Sequence, residues 1–335
     1  MQSSKQIDTK LRATARLESG SYGDFACTRL SKASKHSAIA LSYSQSFIHP
    51  IIEKTMKKLI LIIALVFPFV MQAQTFEIGA IVSGSNYLGD LTNNTVLFDV
   101  GATRPSVGAF ARLNTGAFLS TRASVNFIQI FGDDARSIEP SRRSRNLNFR
   151  NNIMEASLIQ EINIFGFNPA AGKAFSPYVF AGVAYYTHNP TTEYNGRTVD
   201  LQPLGTEGQG IEGFDDPYAL NGIAIPFGAG LKYGISDNFT LAVEFSPRKT
   251  NTDYLDDVST SYLDYNFLLE QNGQAAADLN YRGYEYYGVT PGELGIPNAP
   301  RGNPNRNDWY YTTSITASWR FGGNGRRGAI GCPTF

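Results

Sequence analysis

Residues 223–250, IAIPFGAGLKYGISDNFTLAVEFSPRKT, contain two runs in which apolar side chains alternate with small or polar ones, separated by Ser-Asp-Asn at 236–238. A period of two places successive side chains on opposite faces, so this stretch predicts a hairpin of two long strands. Each run has about ten residues or more, the length that a tilted transmembrane β-strand needs. One face is apolar, whereas the other is glycine-rich and carries the oppositely charged Lys232 and Glu244. Such a small, sparsely charged second face favours the inside of a narrow barrel over a soluble sheet.

The same alternation recurs along the chain and gives eight predicted strands. The loops after the second, fourth and sixth strands are short, and those after the first, third, fifth and seventh are long. Outer-membrane barrels show this pattern, with short periplasmic turns and long extracellular loops. We therefore predict an all-β fold, an eight-stranded antiparallel transmembrane β-barrel in the outer membrane of a Gram-negative bacterium. The predicted strands are residues 76–88, 106–113, 119–131, 153–165, 178–187, the two strands of 223–250, and 309–321.

The predicted strands direct four carboxylates and four cations into the barrel. Eight strands enclose only enough room for side chains, so an open pore is not expected. Buried charges persist when they are paired and hydrogen-bonded, and an equal number of each sign suits a plugged lumen. We interpret these residues as a structural charge network rather than as catalytic acids. The network comprises Glu77, Arg112, Arg122, Glu155, Glu161, Lys232, Glu244 and Arg320.

The overall composition agrees with this fold class. The chain has 335 residues, 13% aromatic residues, 17% charged residues, 32 glycines and no net charge. Low charge with many aromatic residues disfavours disorder, and the lack of a basic excess argues against nucleic-acid binding. No spacing of metal ligands is present, and we expect no cofactor.

The segment from Met56 has the layout of a secretory signal peptide. Two lysines follow Met56, residues 59–70 are apolar, and Ala73 offers a small residue at the end of the segment. The apolar run is too short to span a bilayer as a helix. We predict a signal peptide at 56–73, a barrel at 74–321 and a periplasmic tail at 322–335. Residues 1–55 are then a mis-assigned extension that precedes the true start, or else a real but disordered leader.

The tail contains the one cysteine that remains after signal removal, Cys332, because Cys27 lies within 1–55. A single thiol in an exported chain cannot form an internal disulfide. Cys332 therefore stays free or pairs with another molecule.

The long loops offer weaker indications. Four arginines at 142, 143, 145 and 150 could contact lipopolysaccharide phosphates or be solvated, and solvation is the simpler interpretation. Three carboxylates at 253, 256 and 257 lack the spacing of a known calcium loop. The tyrosine-rich loop 250–308 favours a docking surface.

His188 is the one histidine after the signal peptide and therefore the candidate catalytic base for an enzymatic function. Acyl-transfer enzymes combine a histidine with a serine and an acid, but no spacing here singles out such partners. We expect His188 to be a solvated loop residue at the outer end of the fifth strand.

Five stretches together resemble the PorG-like (DUF6089-type) outer-membrane proteins of the type IX secretion system of the Bacteroidota. The resemblance spans most of residues 76–335 and is more specific in the loops than in the strands. The stretches are SNYLGDL at 85–91, DLQPLGTEGQG at 200–210, IPFGAGLKY at 225–233, RKTNTDYLDDVS at 248–259 and GCP at 331–333.

The resemblance implies a non-enzymatic part of the protein secretion and gliding machinery. PorG-like proteins associate with a periplasmic ring of a lipoprotein, PorK, and its partner, PorN. By that likeness, PorK-like and PorN-like proteins are the expected partners, in contact with Arg326, Arg327 and Cys332 of the tail, the last through an intermolecular disulfide. The alternatives are a stand-alone structural or adhesive barrel that binds surface ligands through its loops, and a lipid A-modifying acyl hydrolase.

Overall fold

A computed structural model describes residues 75–92 and 100–321 of the chain. Nine antiparallel strands form one sheet in the order β4-β3-β2-β1-β9-β8-β7-β5-β6, and β4 also pairs with β5. This additional pairing closes eight of the strands into a barrel, while the short β6 pairs only with the end of β5. The strands are β1 (Thr75–Leu88), β2 (Arg104–Asn114), β3 (Leu119–Asp133), β4 (Asn148–Asn163), β5 (Phe175–Tyr194), β6 (Arg197–Asp200), β7 (Asn221–Gly234), β8 (Phe239–Thr250) and β9 (Trp309–Phe321). The predicted eight-stranded antiparallel barrel is confirmed.

The outer wall of the barrel is apolar and the lumen is polar. In β4, Met154, Leu158 and Ile162 are about half exposed, while the intervening Glu155 and Glu161 are buried. Such a continuous exposed apolar surface is stable in lipid and not in water. Aromatic pairs mark the short-turn end of this wall, at Phe76–Phe321 and Phe239–Trp319. The barrel is therefore of the outer-membrane type.

Two inward-facing glycines of β7 make room for large rings inside the barrel. A Cβ on Gly230 would lie 2.8 Å from the ring of Tyr178, and one on Gly228 would lie 2.8 Å from the ring of Phe180. Both rings point from β5 across the lumen, where Tyr178 and Phe180 are buried. The glycine-rich face of the 223–250 hairpin thus fits the narrow interior.

The fifth strand is longer than predicted. It runs to Tyr194 rather than to residue 187, and its end forms a hairpin with β6 inside the segment predicted as loop. The sequence of this extension, THNPTTEY at 187–194, lacks the apolar alternation that marks a lipid-facing strand. The strand continues past the apolar belt, where lipid no longer requires apolar side chains.

The short and long connections lie at opposite ends of the barrel, as predicted. The turns at residues 115–118, 164–174 and 235–238 are short, whereas the loops at 134–147, 201–220 and 251–308 form a folded outer cap. The cap contains helices that the sequence analysis did not predict: α1 (Pro140–Arg145), α2 (Tyr265–Gln271), α3 (Gln274–Asn280) and α4 (Gly283–Tyr287). Each has only five to seven residues, too few to show a helical period clearly.

Across 75–92 and 100–321, every helix is too short or too polar to traverse a bilayer. The predicted extension at 1–55, the signal peptide at 56–73 and the tail at 322–335 lie outside the described residues. Arg326, Arg327 and Cys332 lie there too, so their roles remain predictions.

Candidate functional site

The lumen contains a charge network centred on Glu161. This carboxylate is fully buried and contacts three cations, with Arg112 Nε at 3.0 Å, Arg122 Nε at 3.1 Å and Lys232 Nζ at 2.5 Å. The four side chains come from β2, β3, β4 and β7, all on inward-facing positions of their strands. Opposite charges at these distances offset the large free-energy cost of burying each ion alone.

The network extends from this centre in two directions. Glu77 contacts Arg112 at 2.9 Å and Arg320 at 2.7 Å, which links β1 to β2 and β9. Glu244 contacts Arg122 at 2.5 Å and accepts the Tyr178 hydroxyl at 2.5 Å. Seven of the eight residues proposed from the sequence therefore form one connected cluster.

The eighth, Glu155, belongs to a second and more outward cluster. It accepts from Arg248 Nε at 3.0 Å, from the Tyr310 hydroxyl at 2.8 Å and from Asn126 Nδ2 at 2.8 Å. Arg248 was not among the residues predicted for the network, and with it the described strands bury five cations and four carboxylates rather than four of each. Arg248 lies four residues after Glu244, on the same inward face of β8, and this spacing could have identified it as a lumen residue. The predicted alternation ended at Ser246, whereas β8 continues through Pro247 to Thr250.

Little free space remains between the two clusters. A cavity of about 10 Å³ separates them, lined by Arg122 and Glu244 on one side and by Arg248 and Thr312 on the other. That is roughly the volume that one water molecule requires. Ion pairs and rings thus plug the lumen.

An apolar core joins the barrel to its cap. Leu255, Val258 and Leu279 of the long loop pack into one cluster with strand residues that include Phe149 and Tyr310. These side chains are buried to within a few per cent of complete burial. The cap is a packed structure rather than a set of independent loops.

Tyr87 anchors the cap to the end of β1. Its hydroxyl lies 2.7 Å from Asp256 Oδ2 and 2.6 Å from Asp308 Oδ1, and it accepts the backbone N–H of Asp90 at 3.0 Å. A phenol has one proton to donate, so the two carboxyls require a further shared proton. Burial raises the pKa values of Asp256 and Asp308 well above the usual carboxyl range. The charge of Asp256 raises the pKa of Asp308 further.

Arg301 organises a second group in the cap. It donates to Glu207 Oε1 at 2.8 Å and to the backbone carbonyl of Asp257, and its Nη2 lies 3.6 Å from Asp257 Oδ2. Asp257 also accepts from Tyr218 at 2.7 Å and from Thr206 at 2.6 Å. Burial raises the pKa of Asp257 to about 6, although Arg301 acts to lower it.

Three of the five stretches quoted above for the family resemblance meet in these two groups. Residues 85–91 supply Tyr87, residues 200–210 supply Thr206 and Glu207, and residues 248–259 supply Asp256 and Asp257. The contacts between these stretches join residues from 47 to 169 positions apart. The outer cap is therefore the candidate functional site.

The acidic cluster of the long loop does not converge on one point. Asp256 faces Tyr87 while Asp257 faces Arg301, and within the described ranges no three acidic, histidine or cysteine side chains are placed to hold a metal ion. Asp253 is buried, and neither of its carboxylate oxygens has a hydrogen-bond partner in the described structure. Burial raises the pKa of Asp253 to about 7.

The basic loop divides into structural and exposed arginines. Arg145 contacts Asp134 at 2.5 Å and donates to the backbone carbonyls of Asp90 and Arg301. Arg142 donates to the carbonyls of Asp90 and Thr92. Arg143 and Arg150 are exposed, as expected of solvated side chains.

The expectation for His188 was wrong, because this residue is only 4% exposed inside the outer end of the barrel. Its Nδ1 lies 3.1 Å from Asn151 Nδ2, and its Nε2 lies 3.3 Å from the carbonyl oxygen of Ala219. The predicted strand ended one residue before His188 and so placed it in a loop. In the longer β5 it shares the inward parity of Tyr186.

The barrel resembles solved outer-membrane proteins at low sequence identity. The N-terminal β-barrel domain of OprF from Pseudomonas aeruginosa is 13% identical, covering 74% of this chain and 98% of that chain, with a TM-score of 0.32. Neisserial surface protein A is 12% identical, with 73% and 97% covered and a TM-score of 0.35. Ail, the attachment invasion locus protein of Yersinia pestis, is 10% identical, with 74% and 97% covered and a TM-score of 0.32.

No curated protein matches the sequence. A family model described as a domain of unknown function, DUF6089, matches residues 56–290, which is more than half of the chain. That range includes the three stretches that build the outer cap. The chain belongs to the DUF6089 family.

Proposed function

We propose that the protein is a non-enzymatic structural component of the type IX protein secretion and gliding machinery of the Bacteroidota. One observation carries the proposal: three of the five stretches that resemble PorG-like proteins, 85–91, 200–210 and 248–259, meet in one packed cap above a lumen plugged by ion pairs. A plugged barrel offers a fixed anchor in the membrane rather than a route through it.

The proposed partner is a periplasmic ring of a PorK-like lipoprotein and a PorN-like protein. Strand β9 ends at Phe321, at the same end as the short turns, and the chain continues from there into the segment with Arg326, Arg327 and Cys332. The lone thiol would form an intermolecular disulfide with the ring, and the two arginines would add electrostatic attraction.

The test is a pull-down of the tagged barrel from native membranes in mild detergent, with and without reductant. We expect recovery of the ring lipoprotein in an adduct that reductant dissociates and that Cys332→Ser abolishes. An adduct-free pull-down that still contains the ring would place the contact outside Cys332. Recovery of the barrel alone, with secretion intact after gene deletion, would overturn the proposal.

A stand-alone structural or adhesive barrel is the second candidate, and the size of the folded cap favours it. The long loop 251–308 carries its own helices and shares an apolar core with the barrel strands, which loops of a purely membrane-anchoring barrel do not need. The same pull-down separates the two candidates, because an adhesive barrel would be recovered without ring components.

A lipid A-modifying acyl hydrolase receives less support from the geometry. Both ring nitrogens of His188 face Asn151 and a backbone carbonyl inside the barrel. A serine nucleophile would have to hydrogen-bond one of these nitrogens to be activated. His188→Gln is expected to leave the lipid A of producing cells unchanged by mass spectrometry, and altered acylation would revive this candidate.

A further inference from the structure

The outer cap contains a small cavity, the Gln209 pocket, between residues 207–215 and 254–263. Its volume is about 240 Å³, and its lining includes Gln209, Asp215, Phe214, Tyr254, Thr260 and Ser261. Phe214 and Asp215 are exposed and form its rim. The pocket belongs to the long-loop end of the barrel, which faces the outside of the cell.

The inner wall of the pocket presents a buried amide without a partner. Gln209 is 7% exposed, and its Oε1 accepts the backbone N–H of Glu207 at 3.0 Å. Its Nε2 has no acceptor in hydrogen-bonding geometry among the described residues, and the Gln209 side chain lies near the Tyr254 hydroxyl, whose pKa burial raises and Gln209 acts to lower. A buried donor left unpaired is unfavourable, so the pocket favours a ligand that brings an acceptor to this nitrogen.

The polar side chains around Gln209 are held in fixed positions. Glu207 accepts from Arg301, from the Thr260 hydroxyl at 2.7 Å and from two backbone N–H groups, at Ser259 and Thr260. The hydroxyl of Tyr254 also donates to Glu207, at 3.4 Å. The wall is thus preorganised, which reduces the entropy lost when a ligand binds.

Aromatic stacking fixes the sides of the pocket. Tyr254 lies parallel to Tyr218, with ring centroids 4.5 Å apart, and Phe214 packs against Phe267 with centroids 5.7 Å apart. Aromatic carbon beside hydroxyl, amide and carboxylate groups matches a ligand with an apolar ring surface and a polar rim.

Charge and size narrow the class of ligand. Glu207 is paired with Arg301, and Asp215 adds a carboxylate at the rim, so a phosphate or sulfate would be repelled. The volume lies below the roughly 300–1,000 Å³ of sites for drug-sized molecules, which suits a single ring. We propose that the Gln209 pocket binds one neutral sugar residue, with a ring or hydroxyl oxygen accepting from Gln209 Nε2 and a sugar hydroxyl donating to Asp215.

The proposal is tested with the full barrel in a detergent that contains no sugar, such as an amine oxide, by saturation-transfer NMR. The probes are glucose, galactose, mannose and N-acetylglucosamine. We expect transfer to the ring protons of at least one of them. Absence of transfer to all four would overturn the proposal.

Two variants locate the contact. Gln209→Met keeps the side-chain length but removes the donor, and it is expected to weaken binding by about tenfold, the cost of one lost hydrogen bond. Asp215→Asn changes only the exposed rim and is expected to weaken binding less. Glu293→Gln, an exposed cap residue outside the lining, is the matched control. Equal transfer in Gln209→Met and the unmodified protein, with the cap shown to be folded by its protease resistance, would contradict the proposal.

A competition experiment identifies the source of the sugar. Purified lipopolysaccharide from the same outer membrane is added to the sugar that gives the strongest transfer. Displacement supports a sugar residue of the surface glycan as the ligand, whereas no displacement supports a free monosaccharide.

Discussion

The lumen and the outer cap both bury carboxylates, but they neutralise them in different ways. In the lumen, the single carboxylate of Glu161 contacts three cations. In the cap, Asp256 and Asp308 face each other across one tyrosine hydroxyl. The lumen therefore depends on pairs of ions, whereas the cap combines ion pairs such as Arg301–Glu207 with a Tyr87 group that depends on a proton shared between acids. From this difference we expect the loss of one charge to lower the free energy of unfolding most in the lumen. A change of pH should alter local stability most in the cap.

The largest expected effect is that of Glu161→Gln. The substitution leaves Arg112, Arg122 and Lys232 buried with one fewer carboxylate, which is expected to cost about 3–5 kcal/mol of the free energy of unfolding. Urea unfolding in micelles measures it through the fluorescence of Trp309 and Trp319, which both lie on β9. A loss below about 1 kcal/mol would show that water or lipid headgroups screen the lumen charges.

Tyr87→Phe is expected to have an intermediate effect that is confined to the cap. It removes the hydroxyl that Asp256, Asp308 and the Asp90 N–H all contact, which is expected to cost about 1–3 kcal/mol of local stability. Hydrogen–deuterium exchange should rise in residues 251–261 and remain unchanged in β2 and β3. Equal protection of the cap in both proteins would mean that the apolar core alone holds it closed.

The pH dependence of the cap is expected to run opposite to ordinary acid denaturation. The pKa of Asp253 is raised to about 7 and that of Asp257 to about 6, so the folded cap binds more protons than the unfolded chain. Stability contributed by these groups is complete below the usual carboxyl pKa and is lost as the pH rises through the raised values. We expect cap protection, corrected for intrinsic exchange, to fall between about pH 4 and about pH 7, from the usual carboxyl pKa up to the raised values.

Asp308→Asn sharpens this test. The amide cannot ionise, so the variant should lose part of the pH dependence while keeping the cap folded at neutral pH. A slope identical to that of the unmodified protein would remove the Tyr87 group from the explanation and leave Asp253 and Asp257 as the titrating residues.

The smallest expected effect belongs to an exposed ion pair on the same strands. Arg150 and Glu193 lie 3.6 Å apart, with both side chains about two-thirds exposed. Glu193→Gln is therefore expected to change the free energy of unfolding by about 0–1 kcal/mol in the same urea experiment. A larger loss would contradict the assignment of this pair to the solvated outer hairpin.

The sequence was most informative where lipid imposes a strict alternation of side chains. All eight barrel strands could be recognised, and with them the inward position of Glu161 and its partners. Alternation became uninformative past the membrane belt, where polar residues occupy both faces. For that reason His188 was placed in a loop, and Arg248, one residue after Pro247, was not counted among the lumen charges.

The sequence indicated that the cap has a function, but it did not predict the cap's helices or its long-range contacts. Its contacts join distant residues, such as Tyr87 with Asp256, and a local period carries no information about such pairs. Its helices have seven residues or fewer, and helices of that length are not stable without tertiary packing. The resemblance of residues 85–91, 200–210 and 248–259 to one family was the only sequence indication that these segments act together.

The seam between β1 and β9 has a consequence for how the barrel is assembled. Arg320 reaches Glu77 across 243 positions of sequence, so the first and last strands must meet before this part of the plug exists. Contacts of such high sequence separation carry a large loop-closure entropy and slow the folding of a chain. Closure therefore waits for the final strand to be synthesised and exported, and until then β1 and its partners present unpaired edges that a periplasmic chaperone would need to shield.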